Sequence, residues 1–202
     1  MKLYVSLASP YARKVRAFLV ETGLAERVEM RHVNPWDSDL ELLRGNPLSK
    51  VPTLVTDAGR TLFDSPLICE YLDSLHGGAK LIPAAGPARW RALRLQSLAD
   101  GILDAAVARI VESRRPEALR SADWDARQAA AVTRALAVLE AEAEALEAPL
   151  SIAQLAVGCA LGYLDFRFPH EPWRDTRPKL AAWYASFSER PSMQQTWPAD
   201  PP

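Results

Sequence analysis

The chain has 202 residues, more than one small α/β unit and less than two average domains, so one domain or two small packed ones are both open. Hydrophobic residues make up 49% and charged residues 24%, which excludes a disordered, collagen-like or fibrous chain. The net charge is −1, with 9 basic and 10 acidic residues in 1–76 and 15 of each beyond, so neither a nucleic-acid partner nor a membrane surface is expected.

No apolar run reaches the roughly 18 residues of a spanning helix, and the N-terminus lacks the pattern of a secretory signal. The expected location is cytoplasmic. Two cysteines, Cys69 and Cys159, are too few for a disulfide framework and lack metal-ligand spacing, so both are expected as small buried apolar side chains and no metal is expected.

Leu3, Val5 and Leu7 alternate with Tyr4 and Ser6 at the two-residue period of a half-buried strand. Ser9-Pro10 then opens a helical pattern through Ala12, Val15, Phe18 and Leu19, with Gly23 placed to end it. Residues 28–33 read as a second strand, and Leu40, Leu42 and Leu43 as a short helix before Gly45-Asn46-Pro47. Thr53-Leu54-Val55, Asp57-Ala58-Gly59-Arg60 and Thr61-Leu62-Phe63 form a hairpin signature. Ser65-Pro66 starts another helix that ends by Gly77-Gly78, giving the order βαβ-α-ββα over residues 1–76.

Residues 77–88 are rich in Gly and Pro and read as a connector. From 89 to 202 the period is helical throughout, and 28 of the 33 alanines lie beyond residue 76. A first long helix carries Leu95, Leu98, Ile102, Leu103, Val107 and Ile110. A second spans about 123–147 with a solvated glutamate face, and a third begins at a capping box, Ser151 with Gln154. A last helix with Leu180, Trp183, Tyr184 and Phe187 stops before Pro191. The expected fold is therefore α/β followed by all-α.

The same device, strand then Ser-Pro then helix, occurs at Ser9-Pro10 and Ser65-Pro66. Ser is a preferred N-cap and Pro a preferred first helical residue, so two good helix starts explain it locally. Helix N-termini also present unpaired N–H groups and partial positive charge, and two at one sheet edge suit a ligand with two separated anionic groups. Lys50-Val51-Pro52-Thr53 adds an X-Pro bond ahead of a strand, where a cis bond would free the Val51 N–H and C=O for an extended ligand.

These residues resemble a known family. Leu3-Tyr4-Val5 with Ser9-Pro10-Tyr11-Ala12-Arg13-Lys14-Val15, the run Asn46 to Leu54, and Phe63-Asp64-Ser65-Pro66 through Leu72 are similar to the cytosolic glutathione transferases, nearest to small bacterial members with an active-site serine. The resemblance implies a thioredoxin-like N-terminal domain (1–76), an all-helical C-terminal domain (89–202), a homodimer, and glutathione as co-substrate. It implies that Ser9 hydrogen-bonds the glutathione sulfur and that Val51, before a cis Pro52, pairs with the cysteinyl backbone. Asp64 and Ser65 match the pair that holds the γ-glutamyl end, and Lys50 a position at the glycyl end, where Trp36 is a further candidate. Ser49 stands where the family commonly has Gly, and Gln154 where it commonly has Asp. For the second-substrate pocket the candidates are Tyr11, Arg109 and Phe166.

The chemistry closes on magnitudes. A free thiol with a pKa of about 8.5 is only about 3% thiolate at pH 7, and lowering it by about two units needs about 2.7 kcal/mol. One hydrogen bond to a charged acceptor supplies about 1.5–3 kcal/mol and a helix N-terminus about 0.3–1 kcal/mol. Arg13 and Lys14 add positive potential near such an anion, although side chains of this kind are ordinarily solvated. A dithiol oxidoreductase is disfavoured because Ser9-Pro10-Tyr11-Ala12 holds no cysteine, and a serine hydrolase because the Gly-x-Ser-x-Gly elbow is missing and His32, His76 and His170 show no link to Ser9. The remaining rivals are a glutathione-dependent peroxidase or isomerase, and a binding or regulatory module that keeps the fold without turnover.

Overall fold

The structure, a computed structural model, describes residues 1–37 and 39–200. Its N-terminal part contains β1 (Lys2–Val5), α1 (Pro10–Glu21), β2 (Glu29–His32), α2 (Leu40–Gly45), β3 (Thr53–Val55), β4 (Thr61–Phe63) and α3 (Ser65–Asp73). This is the βαβ-α-ββα order expected from the sequence. The four strands form one mixed sheet in the order β2-β1-β3-β4, with β1 parallel to β2 and antiparallel to β3, and β3 antiparallel to β4. The β1–α1–β2 crossover supplies the parallel pair, and the Asp57–Arg60 turn closes the hairpin, with Gly59 at φ 75°.

Register decides what meets at the sheet edge. Tyr4 pairs with Thr53, and Thr53 with Phe63. The loop leaving β1, the loop entering β3 and the residues leaving β4 therefore lie side by side, with neighbouring strands about 4.8 Å apart. Ser9 follows the first, Val51-Pro52 forms the second, and Asp64-Ser65 is the third.

The helical part contains α4 (Gly86–Ser113), α5 (Ala122–Ala141), α6 (Ile152–Arg167), α7 (Pro178–Ser188) and α8 (Pro191–Gln195). Helix α4 starts inside the stretch expected as connector, and the remainder is largely exposed but anchored at Leu81 and Ile82. The Asp73 carboxylate accepts from the N–H groups of Leu81 (3.0 Å) and Ile82 (3.1 Å), and both side chains are buried. The second helix is shorter than expected: α5 ends at Ala141, and a 3-10 segment, Ala143–Glu147, follows. The tighter turn buries Ala143 and Leu146, and the Leu146 carbonyl accepts from Trp183 Nε1 (3.1 Å). The capping box at Ser151 and Gln154 is present.

Helix α6 is buried along most of its length and is the central pillar, packed against α1 and α4. Gly162 is required there: a Cβ would lie 2.7 Å from the Tyr184 hydroxyl and closer still to Arg13 Nη1. One continuous apolar core runs from β1, α1 and α3 through α4 and α6 to α7, so the two parts share an interior.

Two side chains read from the sequence as solvated are not. Arg13 is 1% exposed and Lys14 0%. Lys14 Nζ donates to both oxygens of Asp100 on α4 (2.6 and 2.7 Å), while Arg13 Nη2 donates to the Met193 carbonyl (3.2 Å) and its guanidinium stacks over Trp197 at 5.0 Å. Their partners lie 86 and about 180 residues away, beyond the reach of local pattern.

Candidate functional site

Ser9 is the N-cap of α1. Its backbone is extended, its Oγ accepts from the Ala12 N–H (3.2 Å), and Pro10 opens the helix, as the Ser-Pro pattern requires. Because the hydroxyl oxygen is the acceptor in the cap, its proton is free to donate outward to an anion over the helix end. Tyr4, the other nearby phenol, is unsuited: it is buried in a small cluster with Leu42 and Val51.

The loop before β3 is built around a side chain that sequence reasoning passed over. Asn46 is 0% exposed; its Nδ2 donates to the Lys50 carbonyl and to Thr53 Oγ1 (both 3.0 Å), and its Oδ1 accepts from the Leu48 N–H (3.0 Å). Thr53 Oγ1 donates to the same Lys50 carbonyl (2.8 Å). These bonds fix the entry to the cis Val51-Pro52 bond. The Val51 backbone lies just outside the β1–β3 ladder, and among the described residues neither its N–H nor its C=O has a partner.

Ser49 has φ 51°, in the left-handed region where glycine is the usual occupant. Its Oγ donates to the Pro35 carbonyl (3.2 Å), tying the Trp36 loop to the Val51 loop. Trp36 is 66% exposed, and Lys50 is exposed, both at the rim.

Asp64 has φ 76° and ψ 124°, a conformation that a non-glycine residue holds only under strain. Its side chain is exposed and makes no cap bond. Ser65 is 1% exposed, and its Oγ has no partner among the described residues. A buried hydroxyl without a partner is costly, and a strained residue beside it marks a place shaped for something other than folding.

The helical part closes this edge. Asp100, ion-paired to Lys14, lies within electrostatic range of Asp64 and Asp104; burial and those neighbours push its carboxyl up against the opposing pull of Lys14. The Tyr11 hydroxyl donates to Asp104, joining α1 to α4, and burial together with that bond pushes its phenol up. Phe166, near the end of α6, is partly buried with the Arg167 guanidinium 4.0 Å over its ring.

Arg109 is placed elsewhere. Nη1 and Nη2 donate to Glu171 (3.0 and 2.6 Å) and Nε to Asp125 (3.0 Å), and the guanidinium sits 4.3 Å over Phe168. With its polar and aromatic contacts spent inside the helical part, it is a tie between α4, α5 and the loop after α6, and not a lining residue of the cleft. Ser9, Val51, Asp64, Ser65 and, above them, Tyr11 are brought together; Arg109 is not.

The chain matches the glutathione S-transferase N-terminal domain over residues 3–80 and the glutathione S-transferase C-terminal domain over residues 102–186. It belongs to the glutathione S-transferase family. It is 35% identical over 201 residues to the uncharacterized GST-like protein YibF of Escherichia coli, covering 98% of each chain. Among solved structures, it is similar to a glutathione transferase family member of Pseudomonas fluorescens Pf-5 with bound glutathione (46% identity, 98% of each chain, TM-score 0.95). A second structure from that source holds S-(propanoic acid)-glutathione (46% identity, 98% of this chain and 100% of the other, TM-score 0.91). The fold expected from the sequence, a thioredoxin-like unit followed by a helical one, is the fold of this family.

Proposed function

We propose that the chain is an active glutathione transferase that binds glutathione along the edge shared by β1, β3 and β4 and transfers its sulfur to a small electrophile. Glutathione lies extended, its γ-glutamyl end at Asp64 and Ser65, its cysteinyl backbone on Val51 and its glycyl end toward Lys50 and Trp36. Asp64 accepts from the ammonium; the unpartnered Ser65 hydroxyl and the α3 N-terminus take the carboxylate. Ser9 donates to the sulfur and favours the thiolate, which forms the new C–S bond as the electrophile's leaving group departs with its electron pair.

The observation that carries this reading is the row Tyr4–Thr53–Phe63, which brings three separate polar groups to one edge. A binding module without turnover has no use for Ser9 at the sulfur position as well as an occupied peptide groove. Homologues of stringent starvation protein A match less of the chain: the Pasteurella multocida protein is 35% identical over 100 residues, 48% of this chain and 46% of that one. The Escherichia coli and Pseudomonas relatives match throughout.

The reading includes a domain boundary within 77–88, a cytoplasmic location and a homodimer. Leu67 on α3 and Trp90 on α4 are exposed large apolar side chains on helices joined by the Arg89–Glu70 ion pair (2.7 Å), a face suited to a second copy. Calorimetry with glutathione, followed by turnover of a chloronitroaromatic with release of chloride, tests the function. Binding with chloride release supports it. Binding without turnover of any electrophile, or no binding at millimolar glutathione, overturns it in favour of the regulatory module.

A further inference from the structure

The segment after α7 runs back over α1. Arg190 Nε and Nη2 donate to Glu21 (both 2.8 Å), Ser192 Oγ donates to the same carboxylate (2.5 Å), and Arg13 reaches the Met193 carbonyl and the Trp197 ring. The Ala199 N–H then donates to the Leu7 carbonyl (3.4 Å), two residues before Ser9. Asp200 is thereby held beside the loop that leads into Ser9.

Helix α6 runs antiparallel to α1 at this point. Gly162 lies against Arg13, and Tyr163 is electrostatically coupled to Tyr11 in the first turn of α1. One more turn along α6 carries Arg167 past the α1 N-terminus, over the loop that holds Ser9. There Nη1 and Nη2 of Arg167 donate to Asp200 Oδ2 (3.1 Å) and Oδ1 (2.6 Å), a two-pronged carboxylate contact. The guanidinium is backed by the Phe166 ring at 4.0 Å, and Arg114, at the C-cap of α4, lies within electrostatic range of the same carboxylate. Arg167 Nε is buried with no partner among the described residues. The arginine side chain is 13% exposed, whereas the aspartate is 60% exposed.

A nearly buried fork shaped for a carboxylate is thus filled by an exposed carboxylate on the segment after α8. Among the described residues the only hydrogen bonds of that aspartate are those to Arg167, and Trp197 and the residues before it hold α1 by other contacts. We infer that Arg167, supported by Arg114 and Phe166, binds a carboxylate carried by the electrophile, and that Asp200 occupies the same fork until such a substrate displaces it. This rests on the transferase reading above and names the substrate class: small electrophiles bearing a carboxylate, whose conjugates carry that group a few bonds from the glutathione sulfur. Being tethered, Asp200 competes at an effective concentration of the order of millimolar, so the fork discriminates against weakly bound anions.

Calorimetry with S-(propanoic acid)-glutathione, S-propylglutathione, whose S-substituent carries no charge, and glutathione itself tests the inference without requiring turnover. Replacing Arg167→Met should weaken the acid conjugate about 10-fold or more and leave the S-propyl conjugate within about 2-fold. Asp200→Asn, at an exposed position that folding does not need, should tighten the acid conjugate by about 3- to 10-fold and leave the other two ligands unchanged. Equal weakening of both conjugates by Arg167→Met, or weaker binding of the acid conjugate by Asp200→Asn, overturns the inference. Wild-type protein that binds glutathione but does not distinguish the two conjugates removes the inference alone; wild-type protein that binds no glutathione removes the transferase reading with it.

Discussion

Asp64 separates backbone strain from ligand binding, because its two costs respond differently to two substitutions. At φ 76° and ψ 124° any residue with a Cβ carries strain of about 1–3 kcal/mol, which glycine relieves, while glycine costs about 0.5–1 kcal/mol more chain entropy. The side chain is exposed and caps nothing, so its removal costs the fold only a helix-dipole contribution of about 0.3–1 kcal/mol, equal in both variants. At mid-range values of about 2 kcal/mol for strain and about 0.75 kcal/mol for entropy, Asp64→Gly should be more stable than Asp64→Ala by about 1.3 kcal/mol, which for a chain of this length separates their Tm values by roughly 2.5–5 °C. Both lose the same charge-assisted contact to the γ-glutamyl ammonium, about 1.5–3 kcal/mol, so both should bind glutathione roughly 10- to 100-fold more weakly. Differential scanning calorimetry without ligand and titration calorimetry with glutathione read the two effects separately. Equal Tm values would refute the strain argument, and unchanged affinity in both variants would refute the γ-glutamyl assignment.

Three further outcomes follow from the same geometry. Ser9→Ala should cost about 0.5–2 kcal/mol of stability through the lost cap and lower kcat/KM near pH 6.5 by about 10- to 100-fold, with glutathione affinity nearly unchanged; equal activity would remove Ser9 from the sulfur. Asn46→Ala leaves the Leu48 N–H without its acceptor and takes one donor each from the Lys50 carbonyl and Thr53 Oγ1, which keep their bond to each other, so chemical denaturation should show a loss of about 1–3 kcal/mol, accompanied by weaker glutathione binding; a stable variant would show that the loop does not need it. Glu21 is held below the ordinary carboxylate range by its bond to Arg190 and a weaker one to Ser192, against the opposing effect of burial. A depressed carboxyl contributes stability that is complete above its unfolded value and lost as pH falls through the folded one, so Glu21→Gln should flatten the acid limb of a Tm-against-pH curve below about pH 4.5. An unchanged acid limb would assign that loss to other groups.

What the sequence shows and what it hides divide by distance along the chain. The Asp57–Arg60 turn, the Ser9-Pro10 start and the Ser151 capping box are short-range devices, and each stands where its pattern places it, whereas at Ser65-Pro66 the helix begins one residue early, with Asp64 as the N-cap and the Ser65 hydroxyl capping nothing. The row that aligns Ser9, Val51 and Asp64 was legible only through resemblance, since strand order and register depend on pairings between residues about 50 apart. Arg13 and Lys14 look like ordinary solvated cations in the first turn of a helix because Asp100, Met193 and Trp197 reach them from distant parts of the chain. Arg109 stands on a helix face that could line a cleft, and only the arrival of Asp125 and Glu171 shows where its charge is used. Asn46 before Pro47 reads as a turn residue, and the three bonds that make it the loop's organiser become visible once the loop is closed around it. The strain at Asp64 has no sequence signal, because nothing in Phe63-Asp64-Ser65 demands a positive φ.

The central claim is that this sheet edge holds glutathione as its thiolate. Titrating the ultraviolet thiolate absorbance of glutathione bound to the wild-type protein between pH 5 and pH 9 tests it directly. An apparent pKa near about 6.5, two units below the free thiol, is the predicted result. A bound thiol that still titrates near about 8.5 would contradict the account.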